Sequence, residues 1–138
     1  MHQLRGWIFD LDGTLTLAQH DFVAIRRQLG VPAEADILGY MAGLPADERV
    51  QMQAELDAIE RQLAAAVEPA PGAAELIEFL HARGDHLGIL TRNLQQVARN
   101  SLAVIGVLDC FADEDILGRD EAAPKPAPGG ILQLLARW

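Results

Sequence analysis

The chain has 138 residues, 11 of them Lys or Arg and 20 of them Asp or Glu, for a formal net charge of -9. Half of the residues are hydrophobic and 22% are charged, the balance of a folded domain rather than a disordered segment. A single cysteine, Cys110, excludes an intramolecular disulfide framework and a cysteine zinc site. The acidic balance argues against nucleic acid, whose phosphates are bound by clustered Lys and Arg. No apolar run reaches membrane-spanning length, so no membrane partner is expected and a cytoplasmic address is the default.

Trp7-Ile8-Phe9 is a short aromatic and β-branched run closed by Asp10-Leu11-Asp12-Gly13-Thr14, the pattern of a buried strand entering a tight turn. Phe22, Ile25 and Leu29 then share one helical face, with Gly30-Val31-Pro32 as the stop. Ile37, Leu38 and Met41 suggest a second short helix. Pro45 opens a long one, along which Met52, Leu56, Ile59 and Leu63 form a stripe, either an internal core or a dimer face. Pro69-Ala70-Pro71-Gly72 marks a boundary, after which helix and strand alternate. Leu76, Ile77 and Leu80 mark a helix ended by Gly84. Leu87 to Leu90 read as a strand ending at Thr91, and Leu94 to Ile105 as a helix stopped by Gly106. Asp115-Ile116-Leu117 is a third, short strand, Pro124 to Pro128 a rigid loop, and Ile131 to Ala136 the start of a last helix.

Strands alternating with helices imply an α/β fold with a parallel sheet. The core is expected to comprise residues 1–15 and 70–138, with an all-helical cap, residues 16–69, inserted after the first strand. Ligands of open α/β sheets sit beyond the carboxyl ends of the strands. Asp10 and Asp12, Thr91 and Lys125 each follow a strand, so they should gather at one edge. Ten of the eleven basic residues are Arg, and the one Lys stands between two prolines, where a compact ammonium suits a point-charge role. Two neighbouring carboxylates repel unless a cation intervenes, and a hard ion such as Mg²⁺ suits an oxygen-only site. Gly13 permits the sharp turn, and the amides of Arg92 and Asn93 are natural anion donors at a helix start.

Asp10-Leu11-Asp12-Gly13-Thr14-Leu15 resembles the first motif of the haloacid dehalogenase superfamily of phosphohydrolases. Ile89-Leu90-Thr91-Arg92-Asn93 resembles its second motif and Pro124-Lys125-Pro126-Ala127-Pro128 its third, in the same order along the chain. The resemblance implies a Rossmann-like core with a helical cap of the phosphoglycolate-phosphatase-like branch, whose members act on small soluble phosphomonoesters. It implies that Asp10 attacks phosphorus to form an aspartyl-phosphate, and that Asp12 acts as acid and then base. Mg²⁺ would be held by the Asp10 carboxylate and the Asp12 carbonyl. Thr91 and Lys125 would position the phosphoryl oxygens, with Leu11, Gly13, Arg92 and Asn93 completing the substrate site. The expected partner is a small phosphorylated metabolite; the oligomeric state is not readable from the sequence.

The residues after Lys125 include no Asp or Glu, whereas the superfamily's fourth motif is an acidic cluster that completes the metal site. The chain is therefore expected to be an N-terminal piece of a longer protein, with its first strand at an open sheet edge. Dehalogenases of the superfamily lack the second aspartate of the first motif, so Asp12 favours phosphate-ester hydrolysis; a phosphosugar mutase keeps both. The other classes to weigh are a non-catalytic binding module and a phospho-receiver domain. A receiver's acceptor aspartate ends a middle strand, whereas here Ala46 to Val67 is helical in pattern. Arg26 and Arg27 read as a solvated helix face, with recognition of a substrate carboxylate as the sharper alternative. His20 reads as a surface or packing residue, His2, His81 and His86 lack metal-ligand spacing, and Cys110 reads as a small buried hydrophobe.

Overall fold

A computed structural model describes residues 5–17 and 22–138. Three strands, β1 (Gly6–Phe9), β2 (His86–Leu90) and β3 (Ile116–Leu117), form one parallel sheet in the order β1-β2-β3. β1 pairs with β2 from Gly6↔His86 to Phe9↔Ile89, and β2 pairs with β3 through Ile89↔Ile116 and Leu90↔Leu117. Parallel neighbours need a long crossover, and helices supply it. Between β1 and β2 lie α1 (Phe22–Leu29), α2 (Ile37–Ala42), α3 (Ala46–Ala65) and α4 (Ala73–Ala82). α5 (Gln95–Val104) joins β2 to β3, and α6 (Gly129–Arg137) follows β3.

The period of two along β2 lets the sheet bury both faces. Leu87 and Ile89 join the larger apolar cluster with Leu11, Ile77, Leu80, Leu102 and Ile116. Leu90 meets Leu117, Leu134 and Trp138 on the other face. Trp138 fits there because β1 and β2 carry glycines beneath it: a Cβ on Gly6 would lie 2.5 Å from the indole, and one on Gly88 3.0 Å. The indole also stacks on His86, with ring centroids 5.5 Å apart. β1 forms the sheet edge, with no strand on its far side among the described residues. Trp7 is 40% exposed there, and its Nε1 donates to Asp85 Oδ2 at 2.8 Å.

The three helices inserted after β1 pack on one another. Ile25, Leu29, Val31, Ile37, Met41 and Leu56 are buried together, and Met52, Ile59 and Leu63 pack against them. The α3 stripe is thus internal packing rather than a free face. The chain enters and leaves this helical segment through adjoining strand-like residues, with Leu17 N donating to Glu68 O and Ala70 N to Leu15 O, both at 2.9 Å.

Some local expectations shift. α6 starts at Gly129 rather than Ile131, and Leu76 is 46% exposed because α4 turns Ala73, Ile77 and Leu80 inward. Cys110 is half-buried at the margin of the larger cluster, where burial raises its thiol pKa, with Glu78 and Asp109 adding to the effect. His2 and His20 lie outside the described residues. Among the described residues no helix is long and apolar enough to cross a membrane.

Candidate functional site

Because the three strands are parallel, their carboxyl ends share one edge of the sheet. The segments leaving that edge carry Asp10, Asp12, Thr91, Arg92, Asn93 and Lys125 to a single cavity of about 350 Å³. The inserted helices close the opposite wall with Ile25, Arg26, Asp36, Ile37, Leu38, Leu56 and Glu60. Arg26, expected on a solvated face, lines the cavity, whereas Arg27 is exposed.

The turn after β1 sets the directions of its two aspartates. Gly13 adopts φ 79°, a conformation costly for any residue with a Cβ. The amides of Thr14, Leu15 and Thr16 then all close on the Leu11 carbonyl. Leu11 N donates to Asp10 Oδ1 at 2.9 Å, and the Leu11 side chain is fully buried. Leu11 and Gly13 therefore shape the site from beneath and are not among the residues lining it.

Lys125 Nζ donates to Asp10 Oδ1 at 2.7 Å. Asn93 Nδ2 donates to Asp12 Oδ2 at 2.5 Å. Thr91, only 4% exposed, accepts from Asn93 N at 3.2 Å through its Oγ1, which leaves the hydroxyl proton available to a ligand. The Asn93 amide is thus satisfied within the chain rather than offered to an anion. α5 begins at Gln95, so Arg92 and Asn93 precede the helix. The Asn93 carbonyl accepts from Arg119 N at 2.8 Å, and Leu94 is extended, which delays the first helical turn.

Arg119 and Glu60 were not singled out from the sequence. Arg119 donates from Nε to the Arg92 carbonyl at 3.1 Å, from Nη1 to Asp57 at 3.2 Å and from Nη2 to Glu60 Oε1 at 2.7 Å. It ties the segment after β3 to α3. Arg92 makes a second tie, from Nη2 to the Asp36 carboxylate at 3.2 and 3.3 Å. Glu60 is 6% exposed, and Oε2 is buried without a hydrogen-bond partner. Burial raises its carboxyl from the ordinary 4.5 to about 7 against the pull of Arg119, with Asp57 and Asp12 reinforcing the rise. Asp36 moves the other way. Its bond from the Gly39 amide lowers the carboxyl pKa, burial opposes this, and Arg92 adds to the lowering.

The donors for a metal are oxygens only. The Asp10 side chain is half exposed, and the Asp12 carbonyl lies two residues on. Among the described residues no group of three or more His, Cys, Asp or Glu could hold an ion. Two protein oxygens suit Mg²⁺, which keeps several waters and takes substrate phosphate as a further ligand.

A family model described as haloacid dehalogenase-like hydrolase matches residues 4–138. The chain belongs to that family. A haloacid dehalogenase-like hydrolase domain-containing protein of Arabidopsis thaliana is 29% identical, across 99% of this chain and 58% of that protein. An uncharacterized hydrolase of Saccharomyces cerevisiae is 24% identical, across 99% of this chain and 64% of that protein. This haloacid dehalogenase-like chain therefore spans less than two thirds of the length of these curated relatives. The crystal structure of a predicted phosphoglycolate phosphatase from Haemophilus somnus matches with a TM-score of 0.71 at 19% identity, covering 99% of this chain and 72% of that one. That likeness establishes the Rossmann-like fold of the haloacid dehalogenase-like hydrolases.

Proposed function

We propose that this chain carries the reaction centre of a Mg²⁺-dependent phosphomonoester hydrolase acting on a small phosphorylated metabolite. Residues 1–15 and 70–138 form its core and residues 16–69 its cap. The observation that carries the reading is the meeting of Asp10, Lys125, Thr91 and the Asn93-bound Asp12 around one cavity. At about 350 Å³ this cavity lies at the small end of ligand pockets, which favours a compact leaving group.

In the first step the Asp10 carboxylate attacks phosphorus and the ester P–O bond breaks, leaving the phosphoryl group on Asp10. Asp12 gives its proton to the departing oxygen. In the second step Asp12 takes a proton from water, and the resulting hydroxide attacks the aspartyl-phosphate to release inorganic phosphate and free Asp10. Lys125 transfers its hydrogen bond from Asp10 to a phosphoryl oxygen when substrate enters, and the Thr91 hydroxyl donates to another, so both oppose the charge that develops there. Mg²⁺, held by the Asp10 carboxylate and the Asp12 carbonyl, would offset the repulsion between nucleophile and phosphate.

The test is incubation with Mg²⁺ and a panel of small phosphomonoesters, in parallel with Asp10→Asn. Multiple turnovers of phosphate release that vanish in Asp10→Asn support the hydrolase. An isomerised phosphosugar without net phosphate release would replace it with a mutase. A single stable phosphorylation, or none, would leave a receiver-like or binding module instead.

A further inference from the structure

We propose that Arg26 recognises a second anionic group on the substrate, separate from the phosphate that reacts; this rests on the reading above that a phosphomonoester occupies the cavity. Among the described residues, four cationic side chains line that cavity, namely Lys125, Arg92, Arg119 and Arg26. Three are already in ion pairs: Lys125 with Asp10, Arg92 with Asp36, and Arg119 with Asp57 and Glu60. Arg26 is in none. Its Nε donates to the Ala35 carbonyl at 2.9 Å, which fixes the guanidinium plane, and Nη1 and Nη2 make no hydrogen bond or ion pair among the described residues.

The nearby acid does not neutralise it. Asp36 feels Arg26 electrostatically, but its carboxylate is engaged by the Gly39 amide and Arg92. An anchored guanidinium with two free donors is a fork that matches a carboxylate or phosphate in bidentate fashion. Ile25 and Ile37 line the same cavity and offer a second anion no competing donor. Substrates with one phosphate and a neutral remainder leave this fork unpaired.

Two matched pairs of compounds test the assignment. 3-Phosphoglycerate against glycerol 3-phosphate varies a carboxylate, and propane-1,3-diol bisphosphate against its monophosphate varies a second phosphate. kcat/KM is measured for each in the wild type, Arg26→Gln, Arg26→Lys and, as the exposed neighbour, Arg27→Gln. Affinity is measured by calorimetry on Asp10→Asn, with and without Arg26→Gln, so that binding is read without turnover. Selectivity for the doubly anionic member of at least one pair is expected to reach about tenfold, the yield of a charged hydrogen bond. It should fall to near unity in Arg26→Gln, recover in part in Arg26→Lys and persist in Arg27→Gln. The pair that shows it identifies the anion as carboxylate or phosphate. Turnover with equal kcat/KM and equal affinity within both pairs, or selectivity that survives Arg26→Gln, overturns the Arg26 assignment and leaves the hydrolase reading standing. No turnover of any ester, with an Arg26-dependent binding preference retained, sinks the hydrolase reading and supports Arg26.

Discussion

Asn93 Nδ2 donates to Asp12 Oδ2 at 2.5 Å, joining side chains 81 positions apart in the chain. The Asp12 carboxylate, acid and then base in the proposed mechanism, is thereby held in one orientation. Asn93→Ala removes the donor without touching the phosphate-facing groups. It is expected to lower kcat by roughly 10–100-fold, within the range that positioned acid–base help contributes, while KM stays within about threefold of wild type. Steady-state kinetics beside a thermal melt check this. An unchanged kcat, or a loss tracking a lowered Tm, would remove Asn93 from this role.

Lys125 is bonded at 2.7 Å to Asp10, so its loss acts twice. Under the proposed mechanism the phosphoryl oxygens lose a donor, and Asp10 loses the partner that holds its carboxylate. Lys125→Met is expected to reduce kcat/KM by about 10²–10³-fold, the cost of removing one preorganised donor to developing charge. Lys125→Arg should recover little, because a planar fork does not reproduce a compact ammonium held between two prolines. Recovery to near wild type in the arginine variant would show that charge alone suffices.

The strand-to-turn step at Asp10 to Thr14 was legible because the two carboxylates and Gly13 are contiguous, but spacing does not show that Leu11 is buried and that neither it nor Gly13 lines the cavity. β3 was legible although only two residues long, because Ile116 and Leu117 stand apolar among acidic and glycine neighbours. Arg119 was not, since its partners Glu60 and Asp57 lie 59 and 62 residues away and the pairing exists only when α3 docks over the sheet edge. Arg26 was half legible. Periodicity separates the buried Ile25 and Leu29 from the polar residues of α1, but not which polar residue faces the cavity. Leu76 shows the same limit on α4, where two apolar neighbours in sequence cannot both face inward.

Gly118 sits where two backbones meet. A Cβ there would lie 2.4 Å from Gln95 N and 2.7 Å from Asn93 O, atoms that cannot move without displacing the segment that holds Asp12. Gly118→Ala is expected to destabilise the fold by about 1–3 kcal/mol, as overpacking does. Gly129→Ala, whose Cβ would meet Ala123 at an ordinary 3.5 Å, should be neutral or stabilising. Urea denaturation of both variants checks the pair, and equal midpoints would contradict the close approach.

Glu60 makes stability depend on pH in a direction opposite to that of a carboxylate whose ion pair outweighs its burial. Its carboxyl is raised to about 7 in the folded chain, chiefly by burial, from 4.5 as the ordinary value. Between those two values the folded state binds the extra proton, so stability falls as pH rises through the window and levels off above it. At about 1.4 kcal/mol per unit of displacement, the loss is on the order of 3 kcal/mol. Glu60→Gln carries no proton to lose, and Arg119 keeps Asp57 and the Arg92 carbonyl as partners. Urea midpoints at pH 5, 6, 7 and 8 should therefore decline in the wild type and decline less in Glu60→Gln, with the variant the more stable of the two at pH 8. Parallel curves would mean that Arg119 holds Glu60 ionised throughout, and that the buried pair rather than a buried proton ties α3 to the segment after β3.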